Sequence, residues 1–400
     1  MKRLFICLFL WSLTSSAMAQ ADTSINLWMW TTGTHYLHDG NTLGNYGISL
    51  GLAKAQMPGP LIRVQQGQKV TLEVRNQSQG APHTIHLHGL DVDQANDGVP
   101  ATSFSIPHKE TRSYEFKSDH PGNYLYHCHV ASVLHVQFGM YGCVIVEPKN
   151  NEAAPGYFYG RDHNLLMSEA DKSWFDNKPK HATGDSVHAL FALPVYDPDY
   201  FFVNGQSQQQ IDTLKVRSDE NVLIRLSNVG YFENRVIFPS GLTATLLTSD
   251  GRPLPNKTVI DTLLIAQGER FGVLLSPLGS QSPNIEIQYL HMFTGKNVHT
   301  ELVPIRIDDS LWPYSVGENS RETKIKIYPN PASDFMTVSN VEDLNAVIEV
   351  LDIAGHIMEI NTESIGSGFK LNLTSLPTGS YILQIKNRDQ LTYSQTFQKL

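Results

Sequence analysis

His83-Thr84-Ile85-His86-Leu87-His88-Gly89 and Tyr126-His127-Cys128-His129, the latter followed by His135 and Gly139-Met140, decide how this chain is read. These motifs take up six of its sixteen histidines and one of its three cysteines. Side chains on a β-strand alternate between two faces. His86 and His88 therefore share a face, as do His127 and His129, and Cys128 points the other way. His83 lies an odd number of residues from His86 and joins Cys128, and His135 and Met140 can reach the same side from the following loop. Strand parity thus deals the residues into two sets.

One set holds His83, Cys128, His135 and Met140: two imidazoles, a thiolate and a thioether, the donors of a blue-copper site. Zinc also accepts Cys and His, but the Met and the Irving–Williams order favour copper. The other set holds His86, His88, His127 and His129, four imidazoles without sulfur, suited to copper that meets a small oxidant. Cys128 is bonded through the main chain to two members of that second set. A Cys128–Cys143 disulfide is the competing use of the thiol in an exported protein. Cys143 lies in the apolar, strand-like run Gly142-Cys143-Val144-Ile145-Val146.

With Pro58-Gly59-Pro60-Leu61-Ile62-Arg63-Val64, Asp97-Gly98-Val99-Pro100 and Gly139-Met140-Tyr141-Gly142, these motifs resemble the multicopper oxidases. The resemblance implies tandem cupredoxin-like Greek-key β-sandwiches. It implies that His83, Cys128, His135 and Met140 bind type 1 copper, and that the paired histidines form half of a type 2/type 3 cluster that reduces dioxygen. Asp97 matches an acidic residue used in proton delivery; its alternative is a turn residue before Gly98. The family's trinuclear cluster takes eight histidines, and four are present here. The loop from Cys128 to His135 is longer than in most of the family. A blue-copper set in the first domain is a feature shared with copper nitrite reductases.

Residues 1–19 read as a signal peptide: Lys2 and Arg3, an apolar Leu4–Leu13 too short to span a membrane, then Ala17-Met18-Ala19. Cleavage would remove Cys7 and take the formal charge from −9 to −11. That charge argues against nucleic-acid binding. With 41% hydrophobic and 17% charged residues, the chain suffices for two or three domains.

Residues 20–149 form the expected copper-binding domain. Val70, Leu72 and Val74 alternate with polar residues, as do Tyr114 and Phe116 with theirs, which predicts half-buried strands. Residues 161–308 form a second β domain, where Val222, Ile224 and Leu226 alternate. There Phe202-Val203-Asn204-Gly205, Ser249-Asp250-Gly251 and Gln267-Gly268-Glu269-Arg270-Phe271 resemble the copper-free middle domain of three-domain multicopper oxidases. His35 and His38 read as surface residues, and His291 and His299 as structural ones.

After a linker at 309–325, residues 326–400 form a small immunoglobulin-like β-sandwich. Tyr328-Pro329-Asn330-Pro331-Ala332, the strand Ala346–Leu351, Gly355 and Gly379-Ser380-Tyr381-Ile382-Leu383 resemble the C-terminal sorting domain of type IX secretion. That implies passage across a Gram-negative outer membrane to the cell surface or beyond; an accessory immunoglobulin-like domain is the alternative. The whole predicts an all-β, exported copper oxidoreductase that oxidises a small-molecule donor at an exposed histidine edge. Dioxygen or nitrite is the acceptor, and a homo-oligomer completes the histidine cluster. A non-catalytic blue-copper carrier is the contrasting expectation.

Overall fold

A computed structural model describes residues 22–78, 80–176, 195–279, 282–311, 326–330, 332–339, 341, 346–352, 356–365, 368–387 and 390–400. The expected leader lies outside the described residues, as do residues 312–325 of the linker and two positions of the sorting motifs, Pro331 and Gly355.

The first sandwich contains β1 (Thr23–Trp30), β2 (Gly47–Leu50), β3 (Ile62–Gln65), β4 (Lys69–Asn76), β5 (His86–His88), β6 (Thr111–Lys117), β7 (Gly122–His127) and β8 (Tyr141–Glu147). One sheet has the order β2-β1-β4-β6 and the other β3-β8-β7-β5. Val70, Leu72, Val74 and Tyr114 are fully buried between them, and Phe116 nearly so, as their alternation requires. A short helix, α1 (Ser132–Gln137), fills the long connection from β7 to β8. The ladder of β5 on β7 sets His86 opposite His127.

The second sandwich comprises β9 (Arg161–Ala170), β10 (Tyr200–Val203), β11 (Leu214–Val216), β12 (Val222–Asn228), β13 (Glu233–Ile237), β14 (Ala244–Ser249), β15 (Arg252–Ile260), β16 (Thr262–Ile265), β17 (Arg270–Leu275), β18 (Asn284–Leu290) and β19 (Asn297–Ile307). Its sheets run β10-β9-β12-β17-β14-β15 and β11-β19-β18-β13-β16. The alternation in Val222–Leu226 predicts a half-buried strand, but every residue of β12 is buried. The reason is its place in the sheet. Val222, Ile224 and Leu226 face the domain core, while the other face lies against the first sandwich, where the Asn123 amide donates to Leu226 O at 2.9 Å.

The two sandwiches form one compact unit and the C-terminal residues another. The first unit is sealed internally by an apolar layer that includes Leu125, Leu134, Phe138 and Cys143 from one sandwich and Leu166, Trp174, Phe202 and Val229 from the other. Gly122 and Gly251 meet so closely that a β-carbon on Gly122 would lie 2.7 Å from Gly251 Cα. Large side chains are excluded there because two backbones touch.

The C-terminal unit holds β20 (Lys326–Tyr328), β21 (Phe335–Ser339), β22 (Val347–Asp352), β23 (Ile357–Met358), β24 (Asn361–Ile365), β25 (Gly368–Asn372), β26 (Gly379–Asn387) and β27 (Gln390–Lys399). Its sheets are β20-β21-β25-β24 and β23-β22-β26-β27. Tyr381, from the Gly-x-Tyr motif, is buried against Phe397 with ring centres 5.7 Å apart.

Candidate metal centre

Parity works as the spacing implies. Leu87, Tyr126 and Cys128 face the core and are buried, while the histidines between them face outward and are half-buried. At the core side, Cys128 Sγ lies 3.5 Å from His83 Nδ1 and 3.2 Å from His135 Nδ1. All three side chains are buried and their donor atoms converge within 4.8 Å. Met140 is also fully buried. Its main chain closes the loop: Cys128 N donates to Met140 O at 3.0 Å, and Met140 N donates to His135 O at 2.9 Å.

The long ligand loop is accommodated by α1. Ala131 enters it in the left-handed region at φ 44°, unusual for a residue with a β-carbon. One turn later His135 faces Cys128. The exposed histidine edge expected for electron entry is absent: His83 is 0% and His135 1% exposed. Tyr46 and Phe138 cover this region, with the Tyr46 ring centre 5.8 Å from that of His135 and 5.0 Å from that of Phe138. A helix rather than an open loop therefore seals His135.

On the other side, donor atoms of His86, His88 and His127 also fall within 4.8 Å of one another. His129 stands beside them without joining that convergence; its ring centre is 5.3 Å from that of His86 and 6.1 Å from that of His127. Asp97 contacts the cluster twice. Its carbonyl accepts from His86 Nδ1 at 2.7 Å, and its carboxylate lies 3.4 Å from the same nitrogen. His127 Nδ1 lies 3.1 Å from Cys128 O. Nδ1–H donors engaged in this way leave Nε2 free as a lone-pair donor, the arrangement that metal-binding imidazoles use.

Burial, then the charge of Arg270, lowers His88 to about 4, and burial lowers His127 to about 3. Both are neutral at physiological pH, as ligation requires. Burial raises the Cys128 thiol to about 11. Metal capture there must displace a proton. Both donor sets fit copper: one is a buried thiol flanked by two imidazoles, the other a group of imidazoles in which His86 and His127 have braced Nδ1 atoms.

Sequence reasoning missed how closely the second sandwich approaches the histidines. A β-carbon on Gly268 would sit 2.9 Å from His88 Cε1. Buried Arg270 donates to Gly268 O at 2.7 Å and pairs with Asp250 at 2.9 Å. These residues lie in the Ser-Asp-Gly and Gln-Gly-Glu-Arg-Phe segments singled out by resemblance; that was the available signal. The surface assignment of His35 and His38 is overturned. His35 packs edge-on against Phe202 at 5.4 Å, and His38 Nδ1 lies 2.9 Å from Ser207 Oγ, both half-buried between the sandwiches. His299 stacks on Phe201 at 4.5 Å and bonds Glu301 at 3.0 Å, a structural use. His291 Nδ1 accepts from the Phe293 and Thr294 amides of its own turn. Cys128 and Cys143 are both free, so there is no disulfide between them.

A tandem pair of cupredoxin sandwiches with a Cys–His site and an adjacent histidine cluster defines a copper-protein class. Residues 47–151 and 159–301 each match the family described as multicopper oxidase, together more than half of the chain. The chain belongs to that family. Residues 326–399 match the secretion system C-terminal sorting domain. Copper resistance protein A of Pseudomonas syringae pv. tomato is 29% identical over 266 residues, 55% of this chain and 41% of the relative. Copper-containing nitrite reductase of Neisseria gonorrhoeae is 30% identical over 216 residues, 53% of this chain and 52% of the relative. The chain thus spans about half or less of the length of these relatives. The structure of a blue copper oxidase from Nitrosomonas europaea superposes with a TM-score of 0.59 at 27% identity, covering 72% of this chain and 87% of that one.

Proposed function

We propose that this chain is an exported copper oxidoreductase that oxidises a small reducing substrate and reduces dioxygen. Copper at the two clusters would supply the one-electron chemistry that side chains lack at accessible potentials. His83, Cys128, His135 and Met140 would hold the type 1 ion. His86, His88, His127 and His129 would hold the type 2/type 3 copper. The observation that carries this reading is the position of Cys128. It belongs to a buried cluster, yet main-chain bonds join it to His127 and His129 of the half-exposed one. A covalent path through a single peptide unit on either side of Cys128 therefore links the two sets of ligands.

The roles of the remaining residues follow from where they lie. Asp97 holds His86 in one tautomer through its carbonyl, and its partly exposed carboxylate lies beside the same ring, placed to carry protons from solvent. Tyr46 and α1 exclude water from the buried cluster and set the surface across which a donor's electron must pass.

Four histidines supply half of what a trinuclear cluster takes, and two first domains facing each other would supply all eight. We therefore include a symmetric dimer in the proposal. A nitrite-reductase-like enzyme with a single copper on the histidine face is the second reading. It is favoured by the convergence of only three histidines there and by the nitrite-reductase relatives. Export is proposed through a cleaved leader at 1–19, with the C-terminal domain engaging the type IX machinery.

The test is copper content per chain with visible and paramagnetic spectra, solution mass, and turnover of dioxygen and nitrite. An intense blue band, more than one copper per chain, a dimer and dioxygen consumption are expected. Two coppers per chain with nitrite turnover select the second reading. One blue copper with no turnover identifies an electron carrier, and a protein that takes up no copper refutes the assignment.

A further inference from the structure

The second sandwich carries a carboxylate deep inside it that the reading above does not use. Glu169, on β9, is 3% exposed. Its Oε1 accepts from the Tyr231 amide, from the Phe232 amide at 3.4 Å and from the Tyr196 hydroxyl at 3.2 Å. Its Oε2 is buried and has no hydrogen-bond partner among the described residues. Gly230 lies against that oxygen, leaving no room for a β-carbon.

Both tyrosines then cross to the first sandwich. The Tyr231 hydroxyl donates to Val133 O. The Tyr196 hydroxyl lies beside the side chain of Gln137, itself buried. Val133 and Gln137 lie on α1, two residues to either side of His135. One buried carboxyl group thus anchors two tethers, one hydrogen-bonded through Tyr231 and one in contact through Tyr196, on the helix that presents His135 to Cys128.

We propose that Glu169 is a positioning residue of the type 1 site: through Tyr231 and Tyr196 it sets α1, and with it the approach of His135 to Cys128. The proposal rests on the reading of His83, Cys128 and His135 as copper ligands. It gives the second domain a specific task, since the anchor lies wholly outside the domain that holds the proposed ligands.

Chemistry makes the anchor responsive. A buried carboxylate with one oxygen unmatched is costly when ionised, whereas the protonated group turns that oxygen into a donor. Burial raises Glu169 to about 7. The titratable groups that face it are Tyr196, Tyr231, Tyr141 and Tyr289, and burial pushes all four phenols upward. They stay neutral while the carboxyl titrates. Ionisation adds charge beside the tethers and loosens or redirects their grip on α1.

The test uses the full chain with Glu169→Gln, an isosteric mimic of the neutral acid, and Tyr231→Phe, which removes one tether. In the copper-loaded protein the blue band, copper hyperfine splitting and reduction potential are followed from pH 5.5 to 8.5. The wild type should change with a midpoint near 7. Glu169→Gln should hold the low-pH values throughout, and Tyr231→Phe should shift them at every pH. In the copper-free protein, the α1 amides of Tyr231→Phe should exchange roughly five- to tenfold faster, the effect of losing one hydrogen bond. A Glu169→Gln protein that titrates like the wild type overturns the proposal. So does a Tyr231→Phe protein with unaltered spectrum and exchange. Faster exchange in Tyr231→Phe with no blue band in the wild type overturns the copper reading instead and leaves the clamp as a brace between domains.

Discussion

The two sandwiches of the first unit share a fold and differ in what their strand ends carry. In the first, β5 and β7 end in histidines, and Cys128 immediately follows β7. In the second, the interior side of the central strands is filled by Val222, Ile224, Leu226 and Val273. Its Asp250–Arg270 pair stands beside His88 of the first sandwich, while Glu169 is buried within the second. The lesson is that a cupredoxin frame is chemically silent by itself. One copy gathers the Cys–His and histidine clusters, and in the proposal above the other braces it.

The comparison breaks most sharply at Cys128. Cys128→Ser should abolish the blue band and donor oxidation while leaving copper on the histidine face. His127→Ala should do the converse, keeping the blue band, losing the second copper and ending turnover. Metal analysis with visible spectra of both variants checks this, and loss of both coppers in either one would show that the clusters are not independent.

A smaller effect belongs to Asp97. Asp97→Asn keeps the carbonyl that holds His86 and removes the carboxylate proposed to carry protons. The turnover number should fall roughly 10²-fold, in the range of a lost general acid, with the blue spectrum unchanged. Steady-state oxygen consumption against pH measures it, and an unchanged profile reduces Asp97 to a turn residue.

A further effect bears on stability and is read in the second sandwich. Glu169 has its folded-state value raised from 4.5 to about 7, so the folded protein binds this proton more tightly than the unfolded chain. Its contribution is favourable at low pH, declines as pH rises above about 4.5 and is exhausted above about 7. The loss is on the order of 3 kcal/mol. Denaturant melts of wild type and Glu169→Gln should therefore diverge as pH rises from 5 to 8, with the variant the more stable at pH 8. Parallel curves would show that Glu169 does not titrate in this range.

Much of this was legible from residue order. The parity of His83, His86, His88, His127 and Cys128 sorts them onto two faces because a β-strand alternates without any help from the rest of the fold. The same holds for the buried alternation of Val70, Leu72 and Val74. What lay beyond residue order is the surroundings of those faces. His135 was expected at an exposed edge, but α1 and Tyr46 seal it, and Tyr46 is 89 positions away in the chain. His35 and His38 read as surface residues in the sequence because nothing local reveals that Phe202 and Ser207 lie against them.

The sequence by itself determined which atoms can bind metal and how they divide into two sets, because covalent spacing and strand period are local properties. Only the tertiary structure decided how deeply each set is buried, that Gly268 and Arg270 flank His88, and that Glu169 reaches α1 through Tyr231. Those partners are separated by tens of residues and meet only because two apolar sheet faces pack together. No period within the chain records such a meeting.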